Sequence, residues 1–135
     1  MTKLHASILL ALTILTSTHA WTNNADNAVI LLYHHVSSST PASTSVTPAV
    51  FEMHLQHLAD GYNVISLDQA VSALKAGELL PERAVVITFD DGYRNIYDKA
   101  HPILLKFAMP YTVFVNPQLI GKHSYQLNWQ QIAEM

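Results

Sequence analysis

Ala84-Val85-Val86-Ile87-Thr88-Phe89-Asp90-Asp91-Gly92-Tyr93 combines a buried-strand pattern with two adjacent carboxylates. A short apolar, β-branched run bounded by turn formers reads as a strand buried on both faces, as in parallel sheets. Two adjacent carboxylates at its C-terminal tip are costly. Each disfavours ionisation of the other, and low dielectric disfavours both. A cation or a substrate proton offsets that cost. In parallel α/β architectures chemistry is carried at the C-terminal ends of strands, so the pair marks half of a candidate site. The alternative is a plain strand-to-helix turn, with Asp91 capping the helix and Asp90 solvated.

Upstream, Ala28 to Tyr33 is a second apolar run, expected to be a strand buried on both faces and ending in His34-His35. Ser37 to Thr47 is a polar loop, mobile unless it covers something. Thr47 is a good N-cap with Pro48 at the first helical position. Phe51, Leu55 and Leu58 recur at i, i+4, i+7 and mark the buried face of a helix that stops at Gly61. Tyr62 to Leu67 reads as a strand, and Asp68 as the cap of a short helix closed by Gly77. Downstream, Asn95 to Met109 is helical with an interruption before Pro102, since proline disfavours α at the preceding residue. Tyr111 to Val115 is a fourth strand, and Asn128 caps a last helix with Gln131 as its capping-box partner. Strands alternating with helices imply an α/β fold with a parallel sheet and right-handed crossovers.

The first 20 residues read differently. Lys3 precedes an uninterrupted run of apolar and small residues from Ala6 to Leu15, and Thr18-His19-Ala20 has the pattern of a cleavage site. Such a run is too short to span a bilayer, which takes roughly 20 residues. Residues 1–20 are therefore expected to be a signal peptide, 21–27 an extension of the mature chain, and the protein exported to the periplasm or beyond. The chain has no cysteine, which excludes disulfides, thiolate metal sites and a lipidated N-terminal Cys. No stable membrane anchor is expected. The formal net charge of the 135 residues is −3. No basic stripe is present, which argues against nucleic acid and anionic lipid as partners.

The carboxylate pair admits a division of labour. One coordinates a divalent metal, and the other takes the proton of the metal-bound water, whose pKa the metal lowers towards roughly 7. Here the sequence resembles a known family. Thr88-Phe89-Asp90-Asp91-Gly92-Tyr93 after an apolar strand is similar to the first motif of the polysaccharide deacetylases. Tyr33-His34-His35-Val36, the segments Phe51…Leu67 and Tyr111…Val115, and Asn128…Met135 agree with it. The resemblance covers residues 28–135, and the Tyr-His-His-Val opening is most like the branch acting on poly-β-1,6-N-acetylglucosamine.

The resemblance implies the N-terminal portion of a distorted (β/α) barrel, with Asp90 as general base and Asp91 as a ligand of zinc or another divalent metal. The substrate it implies is an N-acetylated polysaccharide. It also implies two further histidine ligands and a histidine acid. These have no counterpart here, since His101 and His123 are the only histidines after Asp91 and do not form a paired motif. Residues 21–135 by themselves are accordingly expected to be inactive and to fold poorly. The alternatives are a peptidoglycan or xylan deacetylase on the same fold, or a glycan-binding relic without turnover. His34, His35 and Tyr93 are candidate substrate contacts. Arg94 is a further candidate, or else the i,i+4 partner of Asp98. Tyr125 and Trp129 are expected to pack against the fold rather than stack on sugar, and His54 and His57 to be partly exposed helix residues.

Overall fold

The structure is a computed structural model that describes residues 24–135; the expected signal peptide lies outside the described residues. In chain order the elements are β1 (Asn24–Ala25), β2 (Val29–Tyr33), β3 (His35–Val36), β4 (Ser45–Val46), α1 (Pro48–Gly61), β5 (Asn63–Val64), α2 (Leu67–Ala76), β6 (Leu80–Pro81), β7 (Ala84–Phe89), a π-helical turn (Ile96–Ala100), α3 (His101–Lys106), β8 (Thr112–Val113) and α4 (Trp129–Glu134). Among the described residues no helix is long and apolar enough to cross a membrane.

β7 is the axis of the sheet. It pairs in parallel with β2 along one edge, from Val29↔Val85 to Tyr33↔Phe89. Along the other edge β5 pairs at Ala84 and Val85, and β8 at Thr88 and Phe89. All six residues of β7 are buried. Alternation along the strand sends Val85, Ile87 and Phe89 into one core, with Phe51, Leu55 and Leu58 of α1 and with Ile96, Ala100 and Leu104. Ala84 and Val86 enter a second, smaller core with Ile65, Ala70 and Leu80. Phe89 is the hub of an aromatic cluster directly beneath Asp90. Its ring centroid lies 5.6 Å from Tyr33, 5.8 Å from Phe51 and 5.9 Å from Tyr111.

The helix signals act as expected at three places. Thr47 Oγ1 accepts from Val50 N ahead of Pro48, Gly77 closes α2 at φ +69°, and Asn128 and Gln131 form a capping box on α4. Elsewhere the structure corrects the expectation. Ser66, not Asp68, caps α2, accepting from Gln69 N at 3.0 Å; Asp68 lies in the first turn, where its charge favours the helix dipole. Before Pro102 the helix is not broken. It widens into a π turn, in which His101 N donates to Ile96 O, and so absorbs the proline's missing N–H.

The loop from Ser37 to Thr47 is tied down. β3 and β4 form a parallel ribbon, Ser37 N donates to Val46 O at 2.8 Å, and Thr40 and Ser45 share a 2.6 Å hydroxyl contact. β2 departs most from expectation, because it is not buried on both faces. Val29, Ile30 and Leu32 are 55–57% exposed, since the outer edge of β2 has no strand beside it among the described residues.

Candidate active site

Where β7 ends, the chain turns sharply. Asp90 N donates to Tyr33 O at 2.9 Å, extending the ladder by one residue beyond the paired strands. Asp91 and Gly92 then both take left-handed backbone, at φ +68° and +63°. Glycine adopts this region freely and aspartate tolerates it better than most residues. The turn leaves Asp90 half-buried and swings Asp91 into the open. There its Oδ2 lies 4.0 Å from Nε2 of His34. Asp91 makes no capping hydrogen bond to the helical segment that follows. This disfavours the plain-turn alternative.

A second pair sits beside the first. The His35 ring stacks on Tyr93 with centroids 3.8 Å apart. Asn95 holds that histidine from behind. Its amide nitrogen donates to His35 Nδ1 at 2.9 Å, while its Oδ1 accepts from Val36 N at 3.0 Å. With Nδ1 serving as acceptor, this network assigns the neutral-ring proton to Nε2. Burial lowers the pKa of His35 and the neighbouring His34 lowers it further, opposed by Asp91. Burial also raises the Tyr93 phenol, with Asp91 adding to the effect. His35 is thus held towards its neutral form and Tyr93 as a phenol, both able to hydrogen-bond a neutral ligand.

The turn is latched by the segment just before α4. Leu127 N donates to Gly92 O at 2.9 Å, Arg94 N donates to Tyr125 O at 2.8 Å, and Tyr93 bridges Gln126 in antiparallel fashion. The buried Gln126 amide, turned so that its nitrogen faces the turn, donates to Asp91 O and Gly92 O at 2.9 Å each. Asn95 and Gln126 are the site residues that sequence reading missed. Asn95 had a faint signal, as a polar residue four after Asp91. Gln126 had none.

The structure thus gathers Asp90, Asp91, His34, His35 and Tyr93 at one rim of the sheet. Arg94 takes its alternative role, with Nε 3.3 Å from Asp98 Oδ2. His54 bonds the Tyr33 hydroxyl at 3.1 Å, and both it and His57 are exposed on α1. His101 is committed to the Tyr111 hydroxyl at 2.7 Å. Tyr125 and Trp129, expected to pack, are instead 58% and 59% exposed. Nothing in the sequence pattern indicates that the segment carrying Tyr125 lies against the turn rather than under it.

Three cavities open around the rim: one of about 240 Å³ against His34 and His35, one of about 220 Å³ against Val113, Val115 and Leu127, and one of about 600 Å³ against Arg94, Asn95 and Tyr125. Neither Asp90 nor Asp91 lines any of the three. Among the described residues no three His, Asp or Glu side chains cluster to hold a metal ion. Asp91 and His34 alone fall short of the three protein ligands a catalytic zinc takes.

Comparison with known proteins gives a consistent picture. Residues 78–135 match a family model described as polysaccharide deacetylase. The polysaccharide deacetylase-family protein YxkH of Bacillus subtilis is 37% identical over 121 residues, covering 87% of this chain and 42% of that protein. The poly-beta-1,6-N-acetyl-D-glucosamine N-deacetylase of Staphylococcus epidermidis is 30% identical over 129 residues, covering 82% of this chain and 44% of that protein. Among solved structures, IcaB from Ammonifex degensii superposes with a TM-score of 0.74 at 30% identity, covering 82% of this chain and 48% of that one. The chain therefore spans less than half the length of these relatives.

Proposed function

The chain belongs to the polysaccharide deacetylase family, and from that premise we propose that its protein removes N-acetyl groups from an exported or cell-surface polysaccharide by hydrolysis. The poly-β-1,6-N-acetylglucosamine branch is the favoured substrate class, in line with the names of the relatives. One observation carries the reading. The Asp90–Asp91 pair stands at the C-terminal tip of a fully buried parallel strand, with His34 at 4.0 Å from Asp91 and His35 stacked on Tyr93.

In this reading Asp90, half-buried and anchored through its backbone to Tyr33, takes a proton from water as the water oxygen adds to the acetyl carbonyl. The C–N bond then breaks, acetate leaves, and the proton passes to the amine nitrogen. Tyr93 and His35 hydrogen-bond the sugar and fix its orientation. Phe114 N is committed to Phe89 O at 2.8 Å, so an oxyanion donor on this side would come from another amide. A divalent metal, zinc by the family resemblance, belongs to the proposal through Asp91, but the described residues do not complete a ligand set. The exposed apolar side chains of β2 support membership of a closed (β/α) barrel. The apolar stretch near the N-terminus supports export.

The test is acetate release from β-1,6-linked N-acetylglucosamine oligomers by the protein expressed from its complete gene, before and after chelation and re-addition of zinc. Asp90→Asn is expected to reduce the rate by about 10²–10⁴-fold, the usual worth of a positioned general base. Full activity in Asp90→Asn would refute the assignment. A glycan-binding role without turnover is the second reading; binding of the oligomer with no acetate released by any preparation would select it.

A further inference from the structure

The cavity of about 600 Å³ beside the rim takes no part in the steps above, and its size falls in the range of small-molecule sites. One wall is the hydroxyl-rich loop Ser37 to Thr40, and the other is the helical segment carrying Arg94, Asn95 and Asp98. Tyr125 lines it with its ring 58% exposed. Tyr125 is tied to the site through its backbone. Its backbone carbonyl accepts from Arg94 N, and the next residue, Gln126, bridges Tyr93. His123 lies parallel to the Tyr125 ring, with centroids 5.1 Å apart and planes within 2°. Two histidine–tyrosine stacks, His35 on Tyr93 inclined by 30° and His123 on Tyr125 nearly parallel, therefore stand on adjoining segments. Asn95 joins the two regions, since it lines the cavity and also bonds His35 Nδ1.

The chemistry of the walls selects a ligand. An exposed aromatic plane offers a face for stacking on the apolar side of a pyranose ring. Serine and threonine hydroxyls donate or accept as required and suit the hydroxyls of a polyol. Arg94 is matched by Asp98 at 3.3 Å, so its guanidinium is not a free anion receptor, and Lys99 is the one other charge on the wall. A neutral sugar fits this balance better than a polyanion.

We propose that this cleft is a subsite for the pyranose unit next to the one held at Asp90 and Asp91, with Tyr125 as its stacking platform, so that the protein reads a polymer rather than a single sugar. The proposal rests on the deacetylase reading for the identity of the neighbouring unit, but not for the cleft itself.

The probes are N-acetylglucosamine and its β-1,6-linked pentamer, titrated calorimetrically into the protein expressed from its complete gene, with acetate release measured on both. The pentamer is expected to bind more tightly than the monomer. Tyr125→Ala should weaken pentamer binding by roughly threefold to tenfold, the worth of one aromatic contact, and leave monomer binding unchanged. Tyr125→Phe, which keeps the ring, should restore it. Because the Tyr125 side chain is exposed and its structural bond is through the backbone, the substitution leaves the latch intact. Equal affinity for monomer and pentamer, or pentamer binding indifferent to Tyr125→Ala, overturns the subsite. Pentamer binding that depends on Tyr125, with no acetate released from either sugar, upholds the subsite and instead overturns the deacetylase reading.

Discussion

Replacing Gly92 by alanine tests how the carboxylate turn is built. Gly92 is buried at φ +63°, and a Cβ placed there would stand 3.0 Å from Val115 Cγ1 and 3.4 Å from its Cβ. Left-handed backbone costs an L-residue roughly 1–2 kcal/mol. Crowding against a stiff β-branched neighbour adds at least about 1 kcal/mol. The smaller entropy of the unfolded alanine chain returns about 0.4–1 kcal/mol. The expected net loss is roughly 2 kcal/mol. Relaxing the turn also disturbs Gly92 O, which accepts from Leu127 N and from the Gln126 amide. Urea unfolding followed by circular dichroism, on wild type, Gly92→Ala, Val115→Ala and the double variant, separates the two costs. With Val115 shortened the crowding disappears, so Gly92→Ala should cost about 1 kcal/mol less in that background. A loss below about 0.5 kcal/mol with no coupling to Val115 would show that neither the left-handed backbone nor the Val115 contact constrains this turn.

Two further expectations concern stability. Burial pushes the Tyr111 phenol up to about 12, against about 10 in an unfolded chain. A raised folded pKa favours the protonated native state, so its contribution is complete below pH 10 and is lost as pH climbs from there through 12. Absorbance titration near 295 nm should show Tyr111 among the late-ionising tyrosines, and Tyr111→Phe should remove the step near 12 and its share of the alkaline destabilisation; a titration curve unchanged by Tyr111→Phe above pH 11 would contradict it. Ala108 follows α3 at φ +51°, where Met109 N reaches back to Leu104 O. Ala108→Gly should therefore stabilise the protein by about 0.5–1 kcal/mol in thermal or urea unfolding, and a loss of stability would count against the assigned backbone.

Much of the scaffold was legible in the chain because its signals are local. The bounds of β7 follow from five apolar residues and a threonine between a Pro-Glu turn and Asp-Asp-Gly, and the paired strands bury them as that pattern requires. α1 follows from Thr47, Pro48 and the spacing of Phe51, Leu55 and Leu58, and the start of α4 follows from a capping box four residues long. The exposure of β2 was not legible. An apolar run looks the same whether one edge or both are paired, and pairing is a property of the sheet.

Residue type and order alone determined an α/β chain with acidic neighbours at a strand tip, because helical and strand periodicity, caps and turns act over a few residues. Only the tertiary structure decided which groups meet that tip. Asn95 reaches His35 across 60 positions of sequence and Gln126 closes on the Asp91-Gly92 carbonyls, and neither approach leaves a mark on any short window. Hydrogen bonds between distant segments are set by how the strands register and the loops close over them, so the second aromatic stack and its cleft became visible only in three dimensions.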